Sequence, residues 1–326
     1  MYERARLVVA ALALALAAMG CSDTERPSPP AASGPEASNA EPPSAPTATA
    51  EPTPQARAVR PADLDAAVAM AAVRHLAGEI GPRHATSPAY RAAADWVARR
   101  FSSLGYDVRR QPVAVPGGDS WGVPVDAGRS ENVIASPNGL DPAAPHLLVG
   151  AHLDTVPQAP GAEDNASGVG VLLAVAEAIA DRRTRLPVVL VAFGAEEPRG
   201  PTDADHHYGS RAYVASFGPA QRRAVRGMLS LDRVGVGSVV PVGQARSGPD
   251  PAHRAVLAAA RRAGVPVRPD LNRSSDHWQF VLGGMPGVRL GSTPYAAYHS
   301  PDDVPAVVDQ AQLARTGRLV LAWLAR

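Results

Sequence analysis

Seven residues stand out by type and spacing: His152 and Asp154 in "GAHLDTV", Asp164 in "AEDNASGVG", the adjacent Glu196 and Glu197 that end "LPVVLVAFGAEE", Asp232 in "SLDRVG", and His299 in "YHSPDD". Imidazole and carboxylate donors, with no thiolate among them, suit zinc or a similar first-row divalent ion. One zinc is satisfied by three such ligands and a water. Five candidate ligands point instead to two ions sharing a bridging carboxylate. The charges agree: the carboxylates of Asp164, Glu197 and Asp232 against two divalent ions leave one positive charge, which a bridging hydroxide would neutralise. The paired glutamates then have a reason. Two like charges side by side are costly unless a cation is near. Neighbouring residues at a strand end also point in different directions, so one can ligate while the other leans over the bound water.

These residues need a scaffold that brings them together. Apolar residues four apart at Leu64, Val68, Ala72 and Leu76, with Gly78 and Gly81 as stops, predict a helix. A second helix starts near Pro88, with Tyr90, Ala94, Val97, Phe101 and Leu104 on one stripe. "YDVRRQPVAV", "ENVIAS" and "HLLVGAH" read as strands, and Ser167 to Ala180 as a helix. "PVVLVAF", "GMLSLD" and "GVRLGS" are further strand-length runs, with helices at Ala252 to Arg262 and Val307 to Leu324. Strands alternating with helices predict a single α/β domain: a mixed, mostly parallel central sheet covered by helices on both faces. Binding groups collect beyond the carboxyl ends of such strands. His152, Glu196–Glu197 and Asp232 each follow a predicted strand.

The rest of the chain sets bounds. A net charge of +1 gives no reason to expect nucleic acid as a partner. Every basic residue is arginine, which speaks of gene composition more than of function. The single cysteine, Cys21, excludes an internal disulfide and a thiolate metal site. Residues 1–20 combine a basic head (Arg4, Arg6) with an Ala- and Leu-rich run that is short for a membrane span. With Cys21 behind it in "AAMGC", this segment resembles a bacterial lipoprotein signal. The expectation is an extracytoplasmic protein whose membrane contact is a lipid on Cys21, with plain secretion as the alternative. Residues 21–60, rich in Pro, Ala and Ser, are expected to be a disordered tether, and 61–326 the catalytic-type domain.

The ordered set "HLAGEIGPRHATSPAYRAAADWVARRFSSLGYDV", "ENVIAS", "GAHLDTV", "AEDNASGVG", "FGAEE", "SLDRVG" and "YHSPDD" resembles the di-zinc exopeptidases of metallopeptidase family twenty-eight, from about Leu64 to Arg326. That family includes secreted bacterial aminopeptidases, glutamate carboxypeptidase and glutaminyl cyclases. The resemblance implies two zinc ions and peptide substrates. It implies that His152 and Asp232 bind one ion, Glu197 and His299 the other, and that Asp164 bridges both. It further implies Glu196 as general base, Asp154 as the residue that orients the His152 imidazole, a cis peptide bond after Asp164, and Tyr298 as an oxyanion partner. One departure is visible: Pro198 to Tyr208 is an apparent insertion where the family runs directly into a glycine-rich segment.

Blander readings are kept for other residues. His75, His84, His146 and His253 are expected to be hydrogen-bonded core histidines, and His206–His207 a solvated loop. Ser275, Asp276 and His277 in "SSDHWQF" are sequence neighbours and so a poor catalytic triad. No H-E-x-x-H, G-x-S-x-G or phosphate-cradling loop occurs. Related peptidases with an inserted dimerisation domain are excluded, because only 34 residues separate Glu197 from Asp232. The expected activity is that of an aminopeptidase. The alternatives are a glutaminyl cyclase or carboxypeptidase on the same scaffold, and, in another class, a non-catalytic surface-binding lipoprotein.

Overall fold

The computed structural model describes residues 56–325. The expected signal segment lies outside these residues, as does the expected tether except for its last five positions. There Ala58 already bridges to Arg183 and Val59 is buried. In chain order the elements are α1 (Ala66–Val73), α2 (Pro88–Ser103), β1 (Asp107–Val115), β2 (Gly118–Ser120), β3 (Val123–Val125), β4 (Gly128–Ser136) and β5 (His146–His152). Then come α3 (Ser167–Ile179), β6 (Val188–Phe193), α4 (Tyr208–Ala215), α5 (Pro219–Ala224), β7 (Val225–Leu231), β8 (Val240–Gln244) and α6 (Pro251–Ala263). β9 (Val267–Leu271), α7 (His277–Leu282), β10 (Gly287–Leu290) and α8 (Gln310–Leu324) complete the domain.

Capping sets several of the helix boundaries. The Ser87 hydroxyl accepts from the Tyr90 amide at 3.0 Å, and Pro88 begins α2, where its missing N–H costs nothing. Asp250 and Pro251 open α6 in the same way. The last helix starts later than its apolar pattern suggests. Asp309 caps it, and Val307 belongs to a separate 3₁₀ turn, Pro305–Val307.

One eight-stranded sheet has the order β1-β4-β6-β5-β7-β10-β8-β9. Its centre, β6-β5-β7-β10, is parallel throughout, while β1, β4 and β6 pair antiparallel, as do β10 and β8. β5 and β6 are buried at every position because helices cover both faces. The two-residue alternation of strand side chains sorts the core. Leu147, Val149, Ala151, Leu190 and Leu229 join α1, α2, α3, α6 and α8 on one face. Leu148, Val189, Val191, Phe193 and Met228 join Tyr213 of α4 and Phe280 of α7 on the other. Gly150 sits between them because a Cβ there would run into the Phe193 ring. Burying each such Leu, Val or Phe contributes about 1.5–3 kcal/mol.

The register aligns the strand ends that matter. His152 stands opposite Phe193 on β6, and Leu231 opposite Leu290 on β10. The segments that follow β5, β6 and β7 therefore leave the sheet on one edge. Strands β8 and β9 and the hairpin β2–β3 were not expected from the sequence. They are short, and Pro124, Pro241 and Pro269 interrupt the pattern that marks strands elsewhere.

Fully buried Arg83 fastens the segment after β5. Its Nε donates to Leu153 O at 2.7 Å, Nη1 to Pro160 O at 2.6 Å, and Nη2 to Gly161 O at 3.1 Å. Nη1 also reaches the Leu76 and Gly81 carbonyls at 3.3 Å. Burial lowers its pKa to about 10, so it stays charged at neutral pH. Arg83→Met leaves these carbonyls without a donor, and each buried unsatisfied acceptor costs roughly 1–3 kcal/mol. The expected loss is about 3 kcal/mol or more, read as a lower midpoint of urea unfolding.

Candidate active site

Asp164 is the centre of the cluster. Its Oδ1 lies 3.2 Å from His152 Nε2 and its Oδ2 3.1 Å from His299 Nε2, so one carboxylate spans two imidazoles. Glu197 Oε2 lies 3.4 Å from the same His299 nitrogen, and Asp232 Oδ1 lies 3.9 Å from His152 Nε2. Donor atoms of His152, Asp164 and Glu197 all fall within 4.8 Å of one another, and so do those of His152, Glu196 and Asp232. All five expected ligands and Glu196 are thus brought together, each buried. They line one cavity of about 210 Å³, whose walls include Trp121, His207, Arg233, Arg289 and Tyr298.

Backbone amides aim the acids. The turn Ala162–Ala166 carries Asp164, whose peptide bond to Asn165 is cis. Buried Asp303 accepts from the Glu163 amide at 2.8 Å, the Asp164 amide at 3.1 Å and the Tyr295 hydroxyl at 3.0 Å. Glu163, also buried, accepts from the Gly235 and Val236 amides, tying this turn to the one after β7. The Asn165 side chain donates to Leu231 O at 2.8 Å and accepts from the Arg233 amide at 3.2 Å.

Asp154 sits elsewhere in this network than expected. Its carboxylate accepts from the amides of Glu196 and Glu197 at 3.0 and 3.1 Å, while the His152 Nδ1 faces its main-chain carbonyl at 3.2 Å. The carboxylate itself is 3.9 Å from that nitrogen. Asp154 therefore holds the glutamate pair in place, and the main chain meets the imidazole.

The electrostatics call for a cation. Burial pushes Glu196 up to about 8, with His152 opposing and Asp232, Asp164 and Asp154 adding to the rise. Burial also raises Glu197 to about 7, His299 opposing and Asp164 assisting. Burial disfavours a charged His299, yet Glu197 and Asp164 hold it up to about 10. Asp232 stays well below the carboxylate range despite burial, because Arg289 and His152 stand beside it. Buried Glu197 Oε1 and His299 Nδ1 have no hydrogen-bond partner. Nitrogen and oxygen donors that crowd like charges around unpaired atoms fit a zinc-type ion.

Two arginines missed at the sequence level adjoin the ligands. Arg289, fully buried on β10, places Nη2 2.9 Å from Asp232 Oδ1, anchored through Nη1 by Asn272 Oδ1 and Ser274 O. Arg233 Nε lies 3.7 Å from Asp232 Oδ1, and its guanidinium covers the Tyr298 ring at 4.4 Å. Tyr298 stacks on His299 with ring centroids 3.7 Å apart.

The expected solvated loop is corrected: His207 is buried, with Nε2 3.1 Å from Glu196 Oε1, whereas its half-buried neighbour His206 lines the cavity mouth. His146 and His253 are buried as expected, but His75 and His84 are half-buried at the surface. All six non-glycine residues with positive φ adjoin this site among the described residues: Trp121, Ala195, His207, Arg233, Ser292 and His299. Such backbone is costly and gathers where geometry is imposed for function.

A mixed sheet with imidazole and carboxylate donors at the carboxyl edge of its parallel strands defines the class, the zinc-exopeptidase fold. More particularly, residues 132–324 match the model of Peptidase family M28, and the chain belongs to that family. YfbL of Escherichia coli is 30% identical over 181 residues, covering 53% of this chain and 50% of YfbL. Among solved structures, BSAP, a zinc aminopeptidase from Bacillus subtilis, is 19% identical with TM-score 0.71, covering 80% of this chain and 94% of that one. A glutaminyl cyclase from Porphyromonas gingivalis is 24% identical with TM-score 0.68, over 80% and 98%. The chain spans half or less of the length of curated relatives it matches. Both structural likenesses concern the fold.

Arg289→Met tests the counter-charge. Breaking a buried pair by removing one partner costs about 3–5 kcal/mol. The metal-free variant is expected to melt well below the metal-free parent, and added zinc should narrow the gap by supplying the missing positive charge. Equal melting temperatures without metal would show that Arg289 carries no such role.

Proposed function

We propose that this protein is a zinc-dependent exopeptidase working as an aminopeptidase on peptides outside the cytoplasm. The observation that carries the reading is the division of the Asp164 carboxylate, one oxygen toward His152 and the other toward His299. A bridging carboxylate between two donor sets suits two ions. His152 and Asp232 would hold one, Glu197 and His299 the other, and Asp164 both. When bound, zinc supplies Lewis acidity toward a carbonyl oxygen and toward water.

The chain's own residues do the rest. Burial and neighbouring acids hold Glu196 up to about 8 in the metal-free site, and bound cations would lower it, so that its carboxylate takes a proton from the attacking water and returns it to the departing amine. Asp154 fixes the amides of both glutamates, so the base and its ligand neighbour keep a constant relation. Tyr298, on the cavity wall beside His299, is placed to donate its hydroxyl to the carbonyl oxygen as charge develops there. The aminopeptidase reading is also supported by 27% identity over 205 residues to Aminopeptidase YwaD of Bacillus subtilis. An exported, lipid-anchored location rests on the Met1–Cys21 pattern. It predicts that Cys21→Ala abolishes incorporation of labelled palmitate.

A panel of peptides with free, acetylated and glutaminyl N-termini decides the activity, assayed on zinc-loaded protein and after chelation. The expected result is release of N-terminal residues from free peptides only, lost on chelation and restored by zinc. Ammonia release from the glutaminyl peptide without residue release would replace the reading with cyclisation. Glu196→Gln should keep its zinc and lose about 10²–10⁴-fold in kcat. Undiminished turnover in that variant would remove Glu196 from the mechanism.

A further inference from the structure

The segment from Pro198 to Tyr208, which departs from the family pattern, has a definite construction. It folds back on itself through the Arg199 amide to Asp205 O at 2.9 Å and the Thr202 hydroxyl to Asp205 Oδ2 at 2.7 Å. Arg211 closes its far end on the Ala204 and His206 carbonyls at 2.8 and 2.6 Å. The returning chain is then fastened to the strand it left: the His207 amide donates to Glu196 O at 2.9 Å, and the Tyr208 amide to Ala195 O at 2.7 Å.

This closure delivers one side chain to the cavity floor. His207 takes φ 60, a left-handed conformation that a non-glycine residue adopts at a cost. Its imidazole is 6% exposed, and Nε2 comes to 3.1 Å from Glu196 Oε1. Burial holds the ring below the ordinary histidine range, so at neutral pH it carries one N–H and no charge. Nδ1 has no hydrogen-bond partner. The contact with Glu196 is thus the polar one that the ring makes through Nε2. A loop serving only to pack would bury an apolar residue here and leave φ negative.

We infer that His207 is a positioning residue for Glu196: its Nε2–H holds Oε1, fixes the carboxylate rotamer and leaves the other oxygen free to exchange the proton of the reaction. The inference rests on Glu196 being the base. The insertion on this account is the support of the acid–base group, and its length and charge are free to vary as long as it returns His207 to the same place.

The test compares His207→Gln, which keeps a side-chain N–H donor, with His207→Phe and His207→Ala, which lack one, on zinc-loaded protein with a free dipeptide anilide. Loss of a residue that orients a reacting group typically costs 10–100-fold. We expect kcat to fall about 10–100-fold in the Phe and Ala variants with KM within about twofold of the parent, as for an outer-shell orienting group. Zinc content and melting temperature should match the parent, and His207→Gln should recover most of kcat. In a Glu196→Gln background, His207→Phe should have no further effect, because the group it positions is gone. Parent-like kcat in His207→Phe, a Gln variant as slow as Phe, a loss that tracks zinc content or melting temperature, or full additivity with Glu196→Gln would each overturn the inference. Failure of the base reading is seen separately, as full activity of Glu196→Gln alone.

Discussion

The constraint behind this structure is the crowding of Asp164, Glu196, Glu197 and Asp232 in one buried cavity. Taking even one carboxylate out of water is costly unless it is paired or hydrogen-bonded, and grouping several multiplies the repulsion. Most of the surrounding structure answers that cost. Two imidazoles share Asp164, a buried arginine meets Asp232, and a second guanidinium lies between Asp232 and the Tyr298 ring. The residual deficit of positive charge is what a divalent ion supplies. The buried atoms still without a partner, Glu197 Oε1 and His299 Nδ1 among them, lie in the same cluster that calls for the ion.

Beneath the cluster is a layer of acids that never face the cavity. Asp303, Glu163 and Asp154 spend their oxygens on backbone amides of the very turns that carry Asp164, Asp232 and the glutamate pair. Amides give a carboxylate partial positive charge at fixed positions, with none of the rotamer freedom of a side-chain donor. The loops beyond β5, β6 and β7 thereby behave as a rigid frame even though they are irregular. Arg83 does the complementary work, turning a single cation outward to five carbonyls of the chain around the Asp164 loop.

How much of this was legible in the sequence follows from the range of each interaction. β5, β6, β7 and β10 were visible as apolar runs, α2 as an apolar stripe opened by Pro88, and α3 and α6 as helical stretches between strands, because those signals are local. His152, Glu196, Glu197 and Asp232 were visible because each follows a strand of one sheet, whereas Asp164 and His299 were joined to them by residue type and by the resemblance to the family. Arg289 and Arg83 were not: a lone arginine in "GVRLGS" or "GPRHAT" looks like any surface arginine, and only the fold shows what it neutralises. For Asp154 the family resemblance implies a role in orienting the His152 imidazole. The fold instead presents it with two amides more than forty residues downstream, and hydrogen bonds to amides carry no pattern that a sequence reader could see. His207 was misread for a related reason. A polar stretch full of Pro, Gly and Asp has the composition of a solvated loop, and composition does not reveal that the main-chain hydrogen bonds of His207 and Tyr208 to Glu196 and Ala195 bring His207 inward.

The same insertion also shapes the cavity from outside. The Asp119 amide of the β2–β3 hairpin donates to Arg199 O at 3.2 Å, so hairpin and insertion form one rim. At the hairpin tip Trp121, 54% exposed, sets its indole edge-on to His299 at 4.4 Å and to Tyr298 at 5.7 Å. Trp278 and Arg273 also line the cavity, the guanidinium lying over the indole at 5.4 Å from the ring centroid. An aromatic surface left this exposed is retained where something apolar is to be covered. The acids and imidazoles are buried at the floor of the cavity, while Trp121, Trp278 and Arg273 are more exposed along its walls.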